Sequence, residues 1–162
     1  MNFKENNFSK KTTTPEQGFL KALNYCVYQE RCHQEVRNKL YEWGLWHEIV
    51  ENIISKLIQE NYLNEERFAI AYAGGKFRVK QWGKNKIKQS LLFKKVSIPC
   101  INSGLSTITT KDYVQTLEKI INKKQIEIKM KNNFLKNCKI ANYIIGRGFE
   151  AELVWELLQQ QG

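Results

Sequence analysis

The sequence predicts an all-α fold made of three tandem three-helix repeats. Its 162 residues include only two prolines, Pro15 and Pro99, so few positions interrupt a helix. Over long stretches, apolar residues recur three or four positions apart, which is the spacing of an amphipathic helix. One pattern of apolar residues and a turn also recurs along the chain, and such internal repetition is typical of repeat proteins.

The repeated pattern is an apolar pair one helical turn apart, then a turn, then an apolar stripe. In the first copy, Val36 and Leu40 precede the turn Trp43-Gly44-Leu45. The third copy lies 104 residues further on and has Arg147-Gly148-Phe149 at its turn. In the middle copy Lys95 occupies the glycine position, so this copy is the weakest. The alternative is a set of unrelated helices that share only amphipathic spacing.

The order of elements follows from the first helix start and from the repeat. Residues 1–13 are polar and without periodicity, which predicts a flexible basic and polar tail. Thr14 precedes Pro15 and stands three residues before Gln17, a combination that predicts a capped helix start. The repeats are then expected over residues 14–62, 63–108 and 109–162.

Further capping residues agree with three units. Cys32 and Glu35 stand where a Ser-x-x-Glu capping box would stand, although a thiol is a poor cap. Gly83 takes the matching place in the middle copy, and Thr109 with Asp112 opens the third. Each copy is therefore expected to hold a helix, a second helix, a glycine-type turn and a third amphipathic helix.

Composition places the chain among folded proteins of the cytoplasm. Hydrophobic residues make up 42% of it, too many for a disordered protein. The four cysteines form no CxxC pair, which indicates reduced thiols rather than a zinc site or a disulfide framework. The N-terminus lacks the apolar core of a signal peptide, and no apolar run is long enough to span a membrane.

Nothing in the sequence favours catalysis, so we expect neither an enzyme nor a bound cofactor or metal. The two histidines, His33 and His47, have no nucleophile or carboxylate at a spacing that suggests a catalytic set. Gly74-Gly75-Lys76 lacks the spacing of a phosphate-binding loop. We expect Gly74 and Gly75 instead to allow close helix packing or a local bend.

The positive charge of the chain is concentrated in its middle. The net charge is +10, and from Arg67 to Lys111 there are ten basic residues and no acidic one. A helix is expected over residues 64–81. Along one stripe of it lie Arg67, Phe68, Tyr72, Lys76 and Lys80, at steps of one and then four residues. Such a surface attracts nucleic-acid phosphates or an acidic protein face, whereas a merely solvated helix would usually carry Glu-Lys pairs.

Two features of the basic region leave alternatives open. Phe77 and Trp82 lie within it and are expected either to stack on bases or to pack in the core. A second group of lysines either extends the same surface or solvates a long helix. Its members are Lys123, Lys124, Lys129, Lys131, Lys136 and Lys139.

Three stretches of the chain carry a recognisable motif. They are residues 63–69, LNEERFA, then Arg31 with residues 35–40, and residues 147–149, RGF. These stretches resemble, in that order, the most specific motif, the first-repeat motif and a motif near the C-terminus of the RecX family, small bacterial regulators of the RecA recombinase. The similarity covers about residues 18 to 158.

The resemblance implies an elongated, curved repeat array, which we expect to be a monomer. It also implies that the array binds in the groove of a RecA filament on single- or double-stranded DNA. There it would modulate RecA, usually by inhibition. Arg67 is expected either to make such a contact or to join two repeats through a carboxylate. The departures at Cys32 and Lys95 put the turn of the middle repeat and the strength of the effect in question. The residues expected to contact RecA or DNA are Arg37, Arg67, Lys76, Arg78, Lys80, Lys84, Lys86, Lys88, Lys94 and Lys95.

The charge pattern by itself also fits two other classes of protein. One is a free-standing basic helical DNA-binding protein of the helix-turn-helix type. The other is a scaffold whose charge only maintains solubility. Binding to DNA in the absence of RecA, and its dependence on salt, would distinguish these classes.

Overall fold

The computed structural model describes residues 12–162, and over that range all regular structure is helical, which confirms the all-α prediction. The tail predicted over residues 1–13 lies outside the described residues except for its last two. The helices are α1 (Pro15–Tyr28), α2 (His33–Glu42), α3 (His47–Gln59), α4 (Glu65–Lys80), α5 (Lys84–Phe93), α6 (Ile98–Ser106), α7 (Thr110–Glu127), α8 (Asn133–Gly146) and α9 (Ala151–Gln160).

The helices form two compact units. The first unit ends at Asn64 and contains α1 to α3, and the second unit is Glu65–Gly162 and contains α4 to α9. Within the first unit, one face of each helix is buried in a common core that includes Ala22, Leu40 and Val50, all fully shielded from solvent. Burial of these apolar faces is the main source of its stability. The boundaries of the three repeats remain a prediction.

Helix starts follow the predicted capping chemistry. The Thr14 hydroxyl accepts a hydrogen bond from the Gln17 amide at 3.2 Å, and the Gln17 side chain accepts one from the Thr14 amide at 3.1 Å. At the start of α2, the Glu35 carboxylate accepts from the Cys32 amide at 3.3 Å, so the carboxylate half of the box is present despite the thiol. Gly83 is the residue before α5, as predicted.

The third repeat has one start that sequence analysis missed. Thr109 opens α7 as predicted, and its hydroxyl accepts from the Asp112 amide at 3.2 Å. However, α7 is the first helix of that repeat, whereas Cys32 and Gly83 open second helices. The corresponding cap is Asn132, whose side chain accepts from the Leu135 amide at 3.1 Å at the start of α8.

The same turn follows the second helix of each predicted repeat, which confirms the internal repetition. In each turn an amide reaches back five residues to a helix carbonyl, the pattern that ends a helix with a residue of left-handed backbone. These hydrogen bonds run from Leu45 to Leu40 at 3.2 Å, from Val96 to Leu91 at 3.1 Å and from Phe149 to Ile144 at 3.4 Å.

The left-handed residue differs between the three turns. It is Gly44 in the first, with φ +85°, and Gly148 in the third, with φ +98°. In the middle turn Lys95 adopts φ 59°, so the missing glycine does not change the geometry of that turn. A residue with a side chain bears a cost of roughly 1 kcal/mol in this conformation.

Close helix contacts organise the second unit. Gly104 of α6 lies against α4, where a Cβ atom on it would come within 2.6 Å of the Ala69 carbonyl oxygen. Tyr113 of α7 packs between Phe77 and Phe149, with ring centroids 5.8 and 5.1 Å away. Phe77 is thus a core residue, and of the two expected stacking candidates only Trp82 keeps part of its surface exposed.

Main-chain groups join the start of α5 to the turn before α9. The Gly83 amide donates to the Arg147 carbonyl, and the Asn85 amide donates to the Gly148 carbonyl, both at 2.9 Å. A Cβ atom on Gly83 would overlap the backbone of Gly148 and Phe149. We call this contact the glycine joint. It holds α4 and α5 against the last three helices of the same unit.

Candidate polyanion-binding surface

Three lysine side chains lie against two aromatic rings on one side of the second unit. The Lys76 ammonium lies 5.3 Å from the centroid of the Tyr72 ring and 4.8 Å from that of Trp82. Lys86 approaches the Trp82 ring at 4.6 Å, and Lys94 approaches the Tyr72 ring at 5.7 Å. We call these five residues the aromatic-lysine surface. It is a candidate site for a polyanion.

Local structure explains why these residues meet. Tyr72 and Lys76 are one turn apart on α4, so their side chains share a face. After α4, Gln81 adopts φ 52° and the Trp82 amide donates to the Lys76 carbonyl at 3.2 Å, which folds the indole back towards the helix. Lys86 then lies in the first turn of α5. Lys76 of α4 and Lys86 of α5 thereby contact the same Trp82 ring.

A hydrogen bond fixes the Tyr72 ring between the two helices. Its hydroxyl is bonded to the Ser90 hydroxyl of α5. Because Tyr72 is anchored at both ends, the ammonium groups above it are held in a narrower range of positions than free lysines would be. A cation over an aromatic face gains about 0.5–1 kcal/mol at an exposed site, too little to prevent it from also binding a phosphate.

Lys84 does not join this surface. Its backbone amide donates to the Tyr113 hydroxyl at 3.0 Å, and its ammonium group lies 4.9 Å from the centre of that ring. The Tyr113 hydroxyl in turn donates to Glu150 at 2.8 Å. Lys84 shares a cleft of about 350 Å³ with Glu150, Glu152 and Glu156. These carboxylates would oppose the approach of a polyanion to Lys84.

Burial is the main cause that raises the pKa of Tyr113. The backbone amide of Lys84 lowers this pKa and the neighbouring Glu150 carboxylate raises it further. The phenol therefore remains protonated at neutral pH and acts as a donor. Its role is to tie α5, α7 and the start of α9 together.

The other predicted contact residues of α4 point in several directions. The Arg78 guanidinium folds back over Gly74, and Arg78 shares a cleft of about 370 Å³ with Asp112 and Lys119. Lys80 is exposed at the helix end, where its carbonyl accepts a hydrogen bond from Arg147.

Three further predicted residues of the second unit lie outside the aromatic-lysine surface. Lys88 and Lys95 are exposed, on α5 and at the turn that follows it. Arg67 is half-buried in the first turn of α4. The basic run is therefore divided between several faces, and the aromatic-lysine surface is the part on which cations converge.

Arg37, the remaining predicted contact, belongs to the first unit. Its guanidinium binds both carboxylate oxygens of Glu51, at 2.7 and 3.3 Å, and also donates to the Gln34 side chain at 3.2 Å. This hydrogen bond from Arg37 is the main cause that lowers the pKa of Glu51. The geometry favours a role for Arg37 in holding α2 to α3.

A second basic cluster was only half anticipated from the sequence. Lys123 and Lys124 of the second lysine group line a cleft of about 180 Å³ together with Lys119 and Arg147. Lys119 precedes Lys123 by one helical turn, a spacing that could have identified it. The sequence around Arg147 indicates only a turn, and nothing local indicates that the Arg147 side chain reaches the end of α4.

Within residues 12–162, no group of three or more His, Cys, Asp or Glu side chains could hold a metal ion. None of the four cysteines, all of which lie within these residues, forms a disulfide, and Cys26 and Cys32 are buried. Over the same range no helix is both long and apolar enough to cross a bilayer.

Comparison with family models identifies two segments. The first three-helix domain of RecX matches residues 19–57, and the second three-helix domain of RecX matches residues 64–105. Together these segments make up half of the chain.

Individual relatives agree with the family models. The regulatory protein RecX of Bacillus cytotoxicus is 28% identical over 146 residues, which cover 90% of this chain and 54% of the relative. The RecX protein of Bacillus mycoides is 25% identical over the same length. The chain thus spans about half the length of the curated relatives that it matches.

Solved structures share the fold. The crystal structure of RecX from Lactobacillus salivarius is similar with a TM-score of 0.83 and 25% identity, covering 90% of this chain and 95% of that chain. A second crystal structure, of a regulatory protein RecX, has a TM-score of 0.81 over 90% of this chain and 73% of the other, at 21% identity.

Proposed function

The chain belongs to the RecX family of regulatory proteins, and from that membership we propose that it is a non-enzymatic regulator that binds the RecA–DNA filament and restrains RecA. The observation that supports this proposal in the molecule itself is the aromatic-lysine surface. There Lys76, Lys86 and Lys94 converge on two rings, in a region whose sequence from Arg67 to Lys111 has no acidic residue.

The physical basis of binding is attraction between these ammonium groups and the phosphates of filament DNA. Each phosphate neutralised by a lysine releases counterions, so affinity falls as salt rises. Three lysines predict a slope of log affinity against log salt of about −2.7 on duplex DNA and about −2.1 on a single strand. An acidic face of RecA would be attracted by the same charges. In that case the slopes of log affinity against log salt would not follow this difference between duplex and single-stranded DNA.

Restraint of RecA needs no catalytic group. A protein that binds one state of the filament more tightly than another shifts the equilibrium towards that state by its difference in affinity. We propose that this protein favours a state of slower ATP hydrolysis and strand exchange. It would act in the cytoplasm as a monomer, with the filament and its single- or double-stranded DNA as partners.

The test is a titration of the DNA-dependent ATPase of RecA with the wild-type chain and the double variant Lys76→Gln/Lys86→Gln. We expect the wild-type protein to suppress ATP hydrolysis and the variant to require at least tenfold more protein for the same effect. The control Lys129→Gln/Lys131→Gln removes the same charge from exposed positions away from the rings and should retain most of the suppression.

Two results would contradict the proposal. An ATPase rate that stays constant at saturating protein would exclude restraint of RecA. Sequence-selective binding to duplex DNA without RecA would indicate a free-standing helical DNA-binding protein instead. Thermal unfolding of the control variant should match that of the wild type, because substitutions at exposed positions usually change stability by less than about 0.5 kcal/mol. Lys76 and Lys86 are half-buried against the rings, so their double variant should lose no more than about 2 kcal/mol of unfolding free energy and should remain folded in the assay.

A further inference from the structure

The cleft at the C-terminal end of α4 has a lining that differs from the other clefts of the second unit. Four of its side chains are cationic and none is acidic. They come from α7 and from the end of α8, and the rest of the lining is a tyrosine, a glutamine and the apolar Ile120. The polar lining residues are Gln81, Lys119, Lys123, Lys124, Tyr143 and Arg147.

The guanidinium of Arg147 is held in place before any ligand arrives. It donates to the Lys80 carbonyl at the end of α4, where the helix dipole favours a cation. It also lies 5.8 Å from the Tyr143 ring centroid. A guanidinium has five N–H donors in a rigid fork, so the remaining donors stay available for an anion. Ordering Arg147 in advance lowers the entropy lost on binding.

Two cations share the Tyr143 ring. The Lys124 ammonium lies 4.0 Å from the ring centroid, and Arg147 approaches the same ring. The hydrogen bond that Lys124 donates to Glu127 is the main cause that raises the pKa of Lys124, and the positive charge of Arg147 acts in the opposite direction. An anion placed between the two cations would relieve their repulsion.

Glu127 neutralises only part of this charge. It accepts a hydrogen bond from Lys124 at 2.9 Å and lies 4.0 Å from Lys123. Lys119 and Arg147 have no carboxylate among the lining residues of this cleft. The charge that remains suits an anion with more than one negative charge better than a single carboxylate.

The size of the cleft limits what can enter. Its volume of about 180 Å³ corresponds to roughly six water molecules at their volume in the liquid, enough for one or two phosphate groups but not for a nucleoside as well. Recognition would therefore concern the phosphate alone and would be independent of base sequence.

We propose that this cleft is a phosphate-binding site, separate from the aromatic-lysine surface, in which Lys119, Lys123 and Arg147 contact the anion. The two sites flank the turn Gln81–Gly83, because Gln81 lines the cleft and Trp82 carries the lysines of the other surface. The phosphate comes either from a nucleic-acid backbone or from a free polyphosphate. This inference does not depend on RecA.

The experiment measures binding to the isolated protein by calorimetry, with pyrophosphate as one probe and an oligothymidylate as the other. Lys119→Gln/Lys123→Gln removes two lining charges, and Lys129→Gln/Lys131→Gln is the control with the same net charge. We expect the first variant to weaken at least one probe about tenfold and the control to change it less than twofold.

The pattern over the two probes identifies the source of the phosphate. Saturable pyrophosphate binding that only the cleft variant weakens indicates a free polyphosphate. A cleft-specific loss of oligothymidylate affinity without pyrophosphate binding indicates a nucleic-acid backbone. Arg147→Lys, which keeps the charge and removes the fork, should weaken the probe that binds.

Equal weakening by both double variants would overturn the proposal, because it would show attraction to net charge alone. Absence of saturable binding for both probes would overturn it as well. Since Lys119 and Lys123 are exposed, unchanged thermal unfolding of the variants would exclude misfolding as the cause of any loss. The ATPase titration with Lys76→Gln/Lys86→Gln is separate, so failure of one proposal leaves the other intact.

Discussion

The turn at Gly44 in the first unit and the turn at Gly148 in the second have the same backbone but different surroundings. Both residues have positive φ, and both follow a second helix. A Cβ atom on Gly44 would meet nothing within 4 Å, whereas one on Gly148 would lie 2.6 Å from the Lys86 amide nitrogen. At Gly44 only the backbone conformation favours glycine, whereas at Gly148 both the conformation and the lack of space do.

The middle turn separates these two requirements. Lys95 adopts the same left-handed conformation with an exposed side chain. Conformation alone therefore does not compel glycine in this fold. A residue with a side chain is tolerated there and costs about 1 kcal/mol of stability. The close contact at Gly148 is a stronger constraint, because the neighbouring atoms are the nitrogen, Cα and Cβ of Lys86, which can move only with the backbone of α5.

The largest effect is expected from Gly148→Ala. It should destabilise the second unit by more than about 3 kcal/mol, since overpacking and left-handed strain add at the same residue. Gly44→Ala carries only the strain and should cost about 1 kcal/mol. Urea unfolding of the two variants measures the difference. Equal losses would show that the glycine joint tolerates a methyl group and that the comparison is wrong.

A smaller effect is expected from Tyr113→Phe, which tests the side-chain contact beside the glycine joint. The change removes a hydrogen bond to Glu150 and leaves the Lys84 amide without its acceptor. Loss of a partner at a partly buried group should destabilise the unit by about 1–3 kcal/mol. A change in unfolding free energy below about 0.5 kcal/mol would mean that water replaces the hydroxyl.

The same tyrosine should make stability depend on alkaline pH. Burial raises the folded-state pKa of Tyr113, whereas in the unfolded chain a tyrosine titrates near pH 10. Its contribution is complete below about pH 10 and is lost as pH rises beyond that value, by up to about 1.4 kcal/mol per pH unit. Comparing unfolding of the wild type and Tyr113→Phe between neutral and alkaline pH isolates this contribution from that of other tyrosines.

The smallest effect, with opposite sign, is expected from Lys95→Gly. Relief of left-handed strain should stabilise the second unit, but glycine also increases the entropy of the unfolded chain, so the net gain is at most about 1 kcal/mol. Urea unfolding measures it. A loss of stability instead would show that the Lys95 side chain makes a contact that outweighs the strain.

Local features of the fold could be predicted from the sequence because local chemistry determines them. The Thr14 capping box, the start of α5 at Gly83 and the extent of α4 depend on residues within one or two turns of one another. The repeated turn was also visible, and its hydrogen bonds show why Lys95 can replace glycine there.

The candidate site could be predicted only in part. The sequence indicated the basic region, but the direction of each side chain depends on how α7 packs against α4 and α5. Lys84 therefore lies beside three glutamates, and Phe77 is buried against Tyr113. The phosphate cleft combines Gln81, Lys119 and Arg147, which are too far apart in sequence for any spacing rule to connect them.

The glycine joint has a consequence for how such a protein diverges. Its two hydrogen bonds use only peptide groups, from Gly83 to Arg147 and from Asn85 to Gly148. Substitutions around it can accumulate without altering the connection, provided that both glycines persist. A lineage could thus redesign the charge and contacts of each repeat independently, and specialise the surface for a new binding partner while inheriting the same scaffold.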